Sequence, residues 1–398
     1  MRPFDRRRVL LGVTGGIASY KSAWLARLLT KAGAEVDVVL TRSAREFIGP
    51  ITFEALTGRP VHTHLIAPGA ALDHIRLARG AEAVVVAPAT ADFMARAANG
   101  QADDLLTAAL LATQAPVLLV PAMNDRMWAH PQTGANVAHL RSLGYRVLDP
   151  DEGDLAAGEG AGPGRMPEPE TILAHVARLL EAPSLAGRRV VVSAGPTREP
   201  VDPVRYLSNH SSGRMGVEIA AAAWRRGAEV TLVAGPLSVP LPVGPSLVHV
   251  DTTRDMRDAV ETALVGADAL VMAAAPADFR VAAPAAQKIK KDGGAPMMQL
   301  VENPDILKPT IPRRSPGTVV VGFALETQDL VGQARAKLAA KQLDLVVAND
   351  ATEEGAGFGG DTNRVTLVSR DGSAEALPLM TKAEVAEAIL DRVERLLT

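Results

Sequence analysis

The residue types best suited to chemistry crowd into one stretch, Ser193 to Gly216, where Thr197, Arg198, Asn209, His210, Ser211 and Ser212 link an apolar strand to a helix opening at Gly213–Gly216. Strand-to-helix links usually take about 2–6 residues. This one is far longer and is broken by Pro196, Pro200 and Pro203, which packing alone does not require. Hydroxyls and an amide ahead of a helix N-terminus, whose first backbone N–H groups lack intrahelical partners, favour a phosphate or carboxylate ligand. A well-capped surface loop is the alternative. The turn Gly12-Val13-Thr14-Gly15-Gly16-Ile17-Ala18-Ser19 has the same character on a smaller scale: it fails the dinucleotide and P-loop patterns, yet sets glycines and hydroxyls before a helix. A tight turn closing strand onto helix would use the same glycines. His74 is a candidate acid–base group, against the plainer reading of a helix-surface histidine. The run Gln287 to Asp292 carries cations too dense for a core, so it is either a solvated face or a polyphosphate clamp; Lys337 and Lys341, four apart, share a helix face.

The elements that must position these residues alternate. Val9–Val13 reads as a strand, Ser19–Lys31 as a helix with Ala23, Leu25, Leu28 and Leu29 at helical spacing, and Glu35–Leu40 as a second strand. Ala83–Ala87 and Val117–Val120 are continuous apolar strands that end in polar loops, Pro88–Asp92 and Pro121–Asn124. In a parallel sheet such strand C-termini share one edge, so Thr90, Asp92 and Asn124 are expected near Gly15 and Gly16. A glycine-rich, aperiodic segment at 151–166 reads as a flap or a linker, and a helix follows at Thr171–Leu180. The plan then repeats with strand Val190–Val192, the long loop, helix Val217–Arg226 and strand Glu229–Val233. Strands at Ala269–Ala274, Val319–Val321 and Leu343–Val347 come next, with Val365–Val368 as an edge strand. The expected fold is α/β, two Rossmann-like doubly wound domains with mainly parallel sheets: 1–182, a linker at 183–187, and 188–398.

Composition narrows the classes. With 398 residues, 47% apolar and 22% charged, the chain has the make-up of an ordinary globular protein. Its net charge is −3 and the basic cluster Arg6–Arg8 is too short for a nucleic-acid arm, so no nucleic-acid partner is expected. There is no cysteine, which removes disulfides, thiolate metal sites and cysteine nucleophiles together and fits a reducing cytoplasm. The apolar run after Arg8 is too short for a signal peptide or a spanning helix, so a cytoplasmic location off the membrane is expected.

The motifs GGIASYK (15–21), HIRLARGAEA (74–83), APATAD (87–92), PAMN (121–124) and GPGRM (162–166) are followed by AGPTREPVDPVRYLSNHSSGRMG (194–216), KIKK (288–291), NPDIL (303–307) and GFALET (322–327). Together they resemble, along nearly the whole chain, the bifunctional phosphopantothenoylcysteine decarboxylase/phosphopantothenate–cysteine ligase family of coenzyme A synthesis. The resemblance implies that 188–398 activates 4'-phosphopantothenate with CTP and Mg2+, giving an acyl cytidylate that L-cysteine attacks with loss of CMP. It implies that 1–182 binds FMN and takes 4'-phosphopantothenoylcysteine to 4'-phosphopantetheine by oxidation to a thioaldehyde, loss of carbon dioxide and return of the reducing equivalents.

Carried over residue by residue, His74 matches the family's catalytic histidine and Asn124 the asparagine on the substrate carboxylate, with Arg165 of the flap beside the substrate. The FMN site is implied at Gly15, Gly16, Ile17 and Ser19, at Thr41 and Ser43, and at Pro88, Ala89, Thr90 and Asp92. In the ligase half Asn209 matches the asparagine of the acyl-cytidylate step, where an amide can donate to a developing oxyanion. Lys288 matches the lysine beside the triphosphate. Met272, Ala273, Ala274 and Asp278 match nucleotide positions, as do Asn303, Pro304, Asp305, Ile306 and Leu307, then Phe323, Lys337 and Lys341. The metal ligands are unknown, and the resemblance implies trimers of the flavin domain, ligase dimers and a dodecamer. Two rival readings use the same glycine turns: a nicotinamide-dependent flavin oxidoreductase, and a non-catalytic flavin-binding regulatory subunit.

One departure stands out. Many family members carry a flap cysteine, the proposed acid of the final reduction, in an Ala-Cys-Gly run ahead of Gly-Arg-Met; here the aligned run is Ala156-Ala157-Gly158. Another donor, such as Glu159 or an ordered water, is expected to supply that proton.

Overall fold

A computed structural model describes residues 3–155, 158, 160–291, 297–326, 328–350 and 360–398. Ala156, Ala157 and Glu159 of the flap, Asp292 after the lysine run and Thr327 lie outside the described residues. The chain forms two compact units, Met1–Ala182 and Pro183–Thr398.

The first unit runs β1 (Arg8–Val13), α1 (Ser19–Lys31), β2 (Glu35–Leu40), α2 (Pro50–Thr57), β3 (Val61–His62), α3 (Asp73–Gly80) and β4 (Ala83–Ala89). It continues with α4 (Ala91–Ala98), α5 (Leu105–Ala112), β5 (Val117–Pro121), α6 (Asp125–Trp128), α7 (Pro131–Ser142), β6 (Arg146–Val147), β7 (Asp151–Asp154), β8 (Ala161–Arg165) and α8 (Pro169–Leu180). Six strands pair in parallel in the order β3-β2-β1-β4-β5-β6, with Leu11 opposite both Val38 and Val85. Strands buried on both faces must be apolar throughout, as β4 is. Alternate residues then feed two cores: Leu11 and Val85 meet Leu25 and Leu29 of α1, Phe53 of α2 and Val176 of α8. Leu10 and Val84 meet Phe93 of α4, Leu106 of α5 and Leu140 of α7. The segment expected as a flap or linker forms an antiparallel ribbon, β7 on β8.

The second unit repeats the winding. It runs β9 (Arg189–Ala194), β10 (Arg198–Pro200), β11 (Tyr206–Ser208), α9 (Arg214–Arg225), β12 (Glu229–Ala234), β13 (Ser246–His249), α10 (Thr253–Ala263), β14 (Ala269–Met272), β15 (Phe279–Val281) and β16 (Leu300–Glu302). Then come β17 (Val319–Glu326), α11 (Leu330–Ala340), β18 (Leu345–Asp350), β19 (Thr362–Asn363), β20 (Thr366–Ser369), β21 (Ala374–Ala376), β22 (Met380–Thr381) and α12 (Lys382–Leu397). The sheet order is β13-β12-β9-β14-β17-β18-β20-β21, parallel through β18 and antiparallel beyond. Thus Thr366–Ser369 is not an edge strand, because Ala374–Ala376 pairs along its free side. The expected linker is packed into this unit: Leu185 is buried and its amide donates to the Arg226 carbonyl at 2.8 Å.

Helices α9 and α12 are locked by Arg226, whose side chain is only 4% exposed. Its guanidinium donates to Glu394 and Asp391 at 2.8 Å each and pairs with Glu387. Burial works against this charge, but the surrounding carboxylates outweigh it and hold the group charged. Removing the cation strands three carboxylates together, so Arg226→Met is expected to cost about 3–5 kcal/mol of stability. The measure is the denaturant midpoint at unchanged slope; a shift under about 1 kcal/mol would mean the cluster is solvated in the folded protein.

Candidate functional site

In the first unit the loops after β1, β2 and β4 converge where the strand order reverses, the position at which doubly wound sheets bind ligands. Hydrogen bonds knit them: the Thr14 amide and hydroxyl donate to the Pro88 carbonyl at 3.3 and 2.8 Å, and the Thr90 amide donates to the Thr14 hydroxyl at 3.1 Å. The Thr41 amide donates to the Val13 carbonyl at 3.1 Å. Thr14, not expected among the site residues, is therefore the pin between two of the loops; its only signal was a hydroxyl beside Gly15.

A Cβ on Gly15 would lie 2.5 Å from the Ser43 Cβ, whereas one on Gly16 would meet nothing within 4 Å. The turn thus presents bare backbone to open space with Ser43 beside it, which suits an anionic group such as a flavin phosphate. Two residues face the other way. The Ser19 hydroxyl, expected at the ligand, is fully buried and donates to the Gly16 carbonyl at 2.7 Å, so it shapes the turn from inside. Thr41 is buried too, its hydroxyl accepting from the Ala44 amide at 3.2 Å. Pro88 and Ala89 are buried, Thr90 caps α4 by accepting from the Phe93 amide, Ile17 is 68% exposed, and Asp92 pairs with Arg96 in solvent. Gly15→Ala is expected to displace Ser43 and yield protein with little bound flavin; yellow protein with full flavin content would refute the fit.

The ribbon β7–β8 seats on the loop after β5. The Met123 amide donates to the Gly164 carbonyl at 3.0 Å, and a Cβ on Gly164 would lie 2.2 Å from the Met123 carbonyl oxygen. Asn124 caps the short α6, its Oδ1 accepting from the Arg126 amide at 2.9 Å. The base of the ribbon is held by Lys21, 5% exposed, which donates to the Met166 carbonyl at 2.7 Å and pairs with Glu168. Glu168 also pairs with Arg165, so this arginine is half-exposed and already partnered.

His74 lies in the first turn of α3, beside a cavity of about 520 Å³ whose other walls include Leu65, Ile66, Ala108 and Leu111. Its Nδ1 is buried without a hydrogen-bond partner. The neighbouring Asp73 carboxylate is engaged by His62 at 3.2 Å and Arg76 at 3.0 Å. None of the residues of the Gly15 turn, nor Asn124, lines this cavity.

In the second unit a cavity of about 460 Å³ opens at the C-terminal ends of β14 and β17. It is lined by Met272 at the end of β14, by Ala274 and Asp278 beyond it, by the run Asn303 to Leu307, and by Phe323, Lys337 and Lys341. Ala273 and Lys288 are not among its walls. Lys341 pairs with Asp305 at 3.0 Å, and Lys337 donates to the Phe323 carbonyl. Burial opposes the Asp305 charge, but the backbone amide of Lys308 and the Lys341 ammonium outweigh it and hold the carboxyl below its usual range.

Behind this cavity sits a buried polar cluster that sequence reasoning missed. Glu199 accepts from the Thr197 hydroxyl at 3.1 Å and from the Thr253 amide and hydroxyl at 2.9 and 2.8 Å. The two hydroxyls lie 3.0 Å apart; the Thr197 oxygen also receives the Ala277 amide, and the Thr253 oxygen the Asn303 side chain.

The long loop is a ribbon, β10 on β11, followed by a bend. At the entry to α9 the Gly213 amide donates to the Ser211 hydroxyl at 3.3 Å and the Arg214 amide to the Ser212 hydroxyl at 3.4 Å, so two hydroxyls expected to face an anion accept from the backbone instead. Asn209 Nδ2 donates to the carbonyls of Ala275 and Pro276 at 3.2 and 3.0 Å, so both of its hydrogens are engaged. Lys288 is exposed in the 285–291 segment.

Two doubly wound units in one chain define a two-domain α/β protein. A Flavoprotein family model matches residues 2–181 and a DNA/pantothenate metabolism flavoprotein C-terminal domain model matches residues 185–397. The chain is 44% identical over 401 residues to the coenzyme A biosynthesis bifunctional protein CoaBC of Vibrio vulnificus, with 100% of each chain covered. It is 46% identical over 403 residues to that of Mycobacterium bovis, covering 97% of this chain and 96% of the relative. A crystal structure of the C-terminal domain of a CoaBC protein covers 54% of this chain and 98% of that domain at 36% identity, with a TM-score of 0.47. The chain belongs to the CoaBC family of bifunctional coenzyme A biosynthesis proteins. It is an enzyme with ligase and decarboxylase activities in two consecutive steps of coenzyme A synthesis, and neither rival reading is favoured.

Proposed function

We propose that the second unit joins 4'-phosphopantothenate to L-cysteine at the expense of CTP, and that the first unit converts the resulting 4'-phosphopantothenoylcysteine to 4'-phosphopantetheine with FMN. The observation that carries the ligase half is the 460 Å³ cavity, which gathers Asp278, Asn303, Asp305, Phe323, Lys337 and Lys341 around one volume of ligand size. The substrate carboxylate attacks the α-phosphorus, pyrophosphate leaves, and the amine of cysteine then displaces CMP from the acyl carbon. Lys288 approaches the triphosphate from outside the cavity wall. Asn209 reorients from the Ala275 and Pro276 carbonyls to the developing oxyanion, since catalytic hydrogen bonds often assemble only with substrate in place. Mg2+, when bound with CTP, would neutralise charge on the phosphates and would need one or two protein carboxylates at most.

In the first unit the Gly15–Gly16 turn would hold the FMN phosphate on backbone amides, with Ser43 and the Pro88–Thr90 loop near the rest of the cofactor. FMN, when bound, supplies two-electron chemistry at the thiol-bearing carbon. His74 moves a proton at its free ring nitrogen, and Asn124 with Arg165 orients the substrate carboxylate under the ribbon. Because the His74 cavity and the Gly15 turn are separate within one chain, we assign their union to a neighbouring copy, in a trimer of the first unit. The exposed apolar residues Ile17, Tyr20 and Trp24 on and beside α1 suit such a contact. Dimers of the second unit and a dodecamer complete the reading. We place the enzyme in the cytoplasm; among the described residues no helix is long and apolar enough to cross a membrane.

The deciding experiment supplies CTP, 4'-phosphopantothenate and L-cysteine and measures CMP. Stoichiometric CMP with carbon dioxide release is expected, and NADPH turnover in its place would overturn the reading.

A further inference from the structure

The segment carrying Lys288 is anchored through its backbone to the turn between β10 and β11. The Ala285 amide donates to the Val201 carbonyl at 2.9 Å. The Ile289 amide donates to Asp202 Oδ2 at 3.1 Å, and the Ile289 carbonyl accepts from Arg205 Nη2 at 2.9 Å. The amide of Ile289 belongs to the peptide plane directly after Lys288, so this clip fixes the backbone from which the lysine side chain departs. Lys288 and Ile289 lie more than eighty residues along the chain from the turn, so the clip is a tertiary device that no local propensity supplies.

The clip is built around Asp202. Its Oδ1 accepts from the amides of Val204 and Arg205 at 2.9 Å each, and its Oδ2 accepts from Arg205 Nε at 3.0 Å as well as from Ile289. The carboxylate is covered by these donors and its side chain is buried. Arg205, followed by the backbone amides, holds it well below the usual carboxylate range, so it remains an acceptor at every working pH. An asparagine would bring an N–H group against one of these donors.

We infer that Asp202 is a positioning residue for Lys288 in ligation, acting through Ile289; this rests on the assignment of Lys288 to the nucleotide phosphates made above. A loose lysine would still be cationic and would still attract CTP, but it would meet the reacting phosphate out of place, and misplacements of about 1 Å can cost 10²-fold in rate. The expected signature is a fall in turnover larger than the fall in CTP affinity.

The test uses the full-length protein with Asp202→Asn, Lys288→Ala and the pair combined. CMP release, CTP binding and backbone hydrogen exchange are followed for each. Asp202→Asn is expected to lower kcat for CMP release by about 10²-fold, to speed exchange at Ile289, and to leave exchange in β9 and β14 unchanged. The combined variant should be no slower than Lys288→Ala, since a positioning residue has nothing left to position. Losses that multiply would overturn the proposal and leave Asp202 a purely structural residue, as would lost turnover with Ile289 exchange unchanged. Normal turnover by Lys288→Ala would instead remove the lysine assignment and this inference with it. Should Asp202→Asn lose protection in the sheet, Ile289→Pro, which deletes the amide that Asp202 holds, is read by CMP release and CTP binding alone, singly and combined with Lys288→Ala.

Discussion

His74→Asn is expected to lose carbon dioxide release by about 10²–10⁴-fold, while flavin content and CMP release persist. The physical reason lies in an unusual feature of the site. A buried polar nitrogen normally has a partner, and leaving one without costs about 1–3 kcal/mol. His74 Nδ1 is buried and unpartnered beside apolar walls, and the adjacent Asp73 is spent on His62 and Arg76. A substrate group entering the cavity would complete the missing bond. Asparagine keeps roughly the bulk but cannot exchange a proton near neutrality. An amide atom of asparagine replaces Nδ1 in the same place, so the melting temperature should change little and the lost activity is not lost stability. Equal loss of both activities, or a large drop in melting temperature, would mark His74 as a structural residue.

The regular elements of the chain were legible because their signals are periodic. Helix Ser19–Lys31 and strand Glu35–Leu40 fall where helical spacing and apolar alternation put them, and β4 is the buried run that a central parallel strand requires. The loops were legible in chemistry but not in shape. The three-residue strands β10 and β11 are held by tertiary bonds: the Arg198 amide donates to the Asp251 carbonyl at 2.7 Å, and Asp202 organises the turn between them. No spacing in the sequence encodes those partners. Glu199, which stands between an arginine and a proline in the sequence, is buried among two threonines, one from a helix more than fifty residues away. Ser19 shows the converse, a hydroxyl in the right turn pointing inward because the Gly16 carbonyl needs it more than a ligand does.

Asn209→Asp is expected to abolish cytidylate formation by at least the 10²–10³-fold typical of one lost oxyanion donor, with CTP affinity little changed. Asn209 does not line the nucleotide cavity, which is why binding should survive. Its side chain donates to the carbonyls of Ala275 and Pro276, and Pro276 does line that cavity. A carboxylate there would oppose two carbonyl oxygens about 3 Å away with no hydrogen to offer, and would also oppose an anionic acyl phosphate. Asn209→Ala separates the two causes. If the amide acts by donating to the oxyanion, alanine already loses most of what aspartate loses, because both lack the donor and only aspartate adds repulsion. If it acts only by tying the loop to the end of β14, alanine loses far less than aspartate, since it removes the tie without adding repulsion. Single-turnover CMP formation beside equilibrium CTP binding distinguishes these outcomes. Normal turnover by the aspartate variant would take Asn209 out of the mechanism.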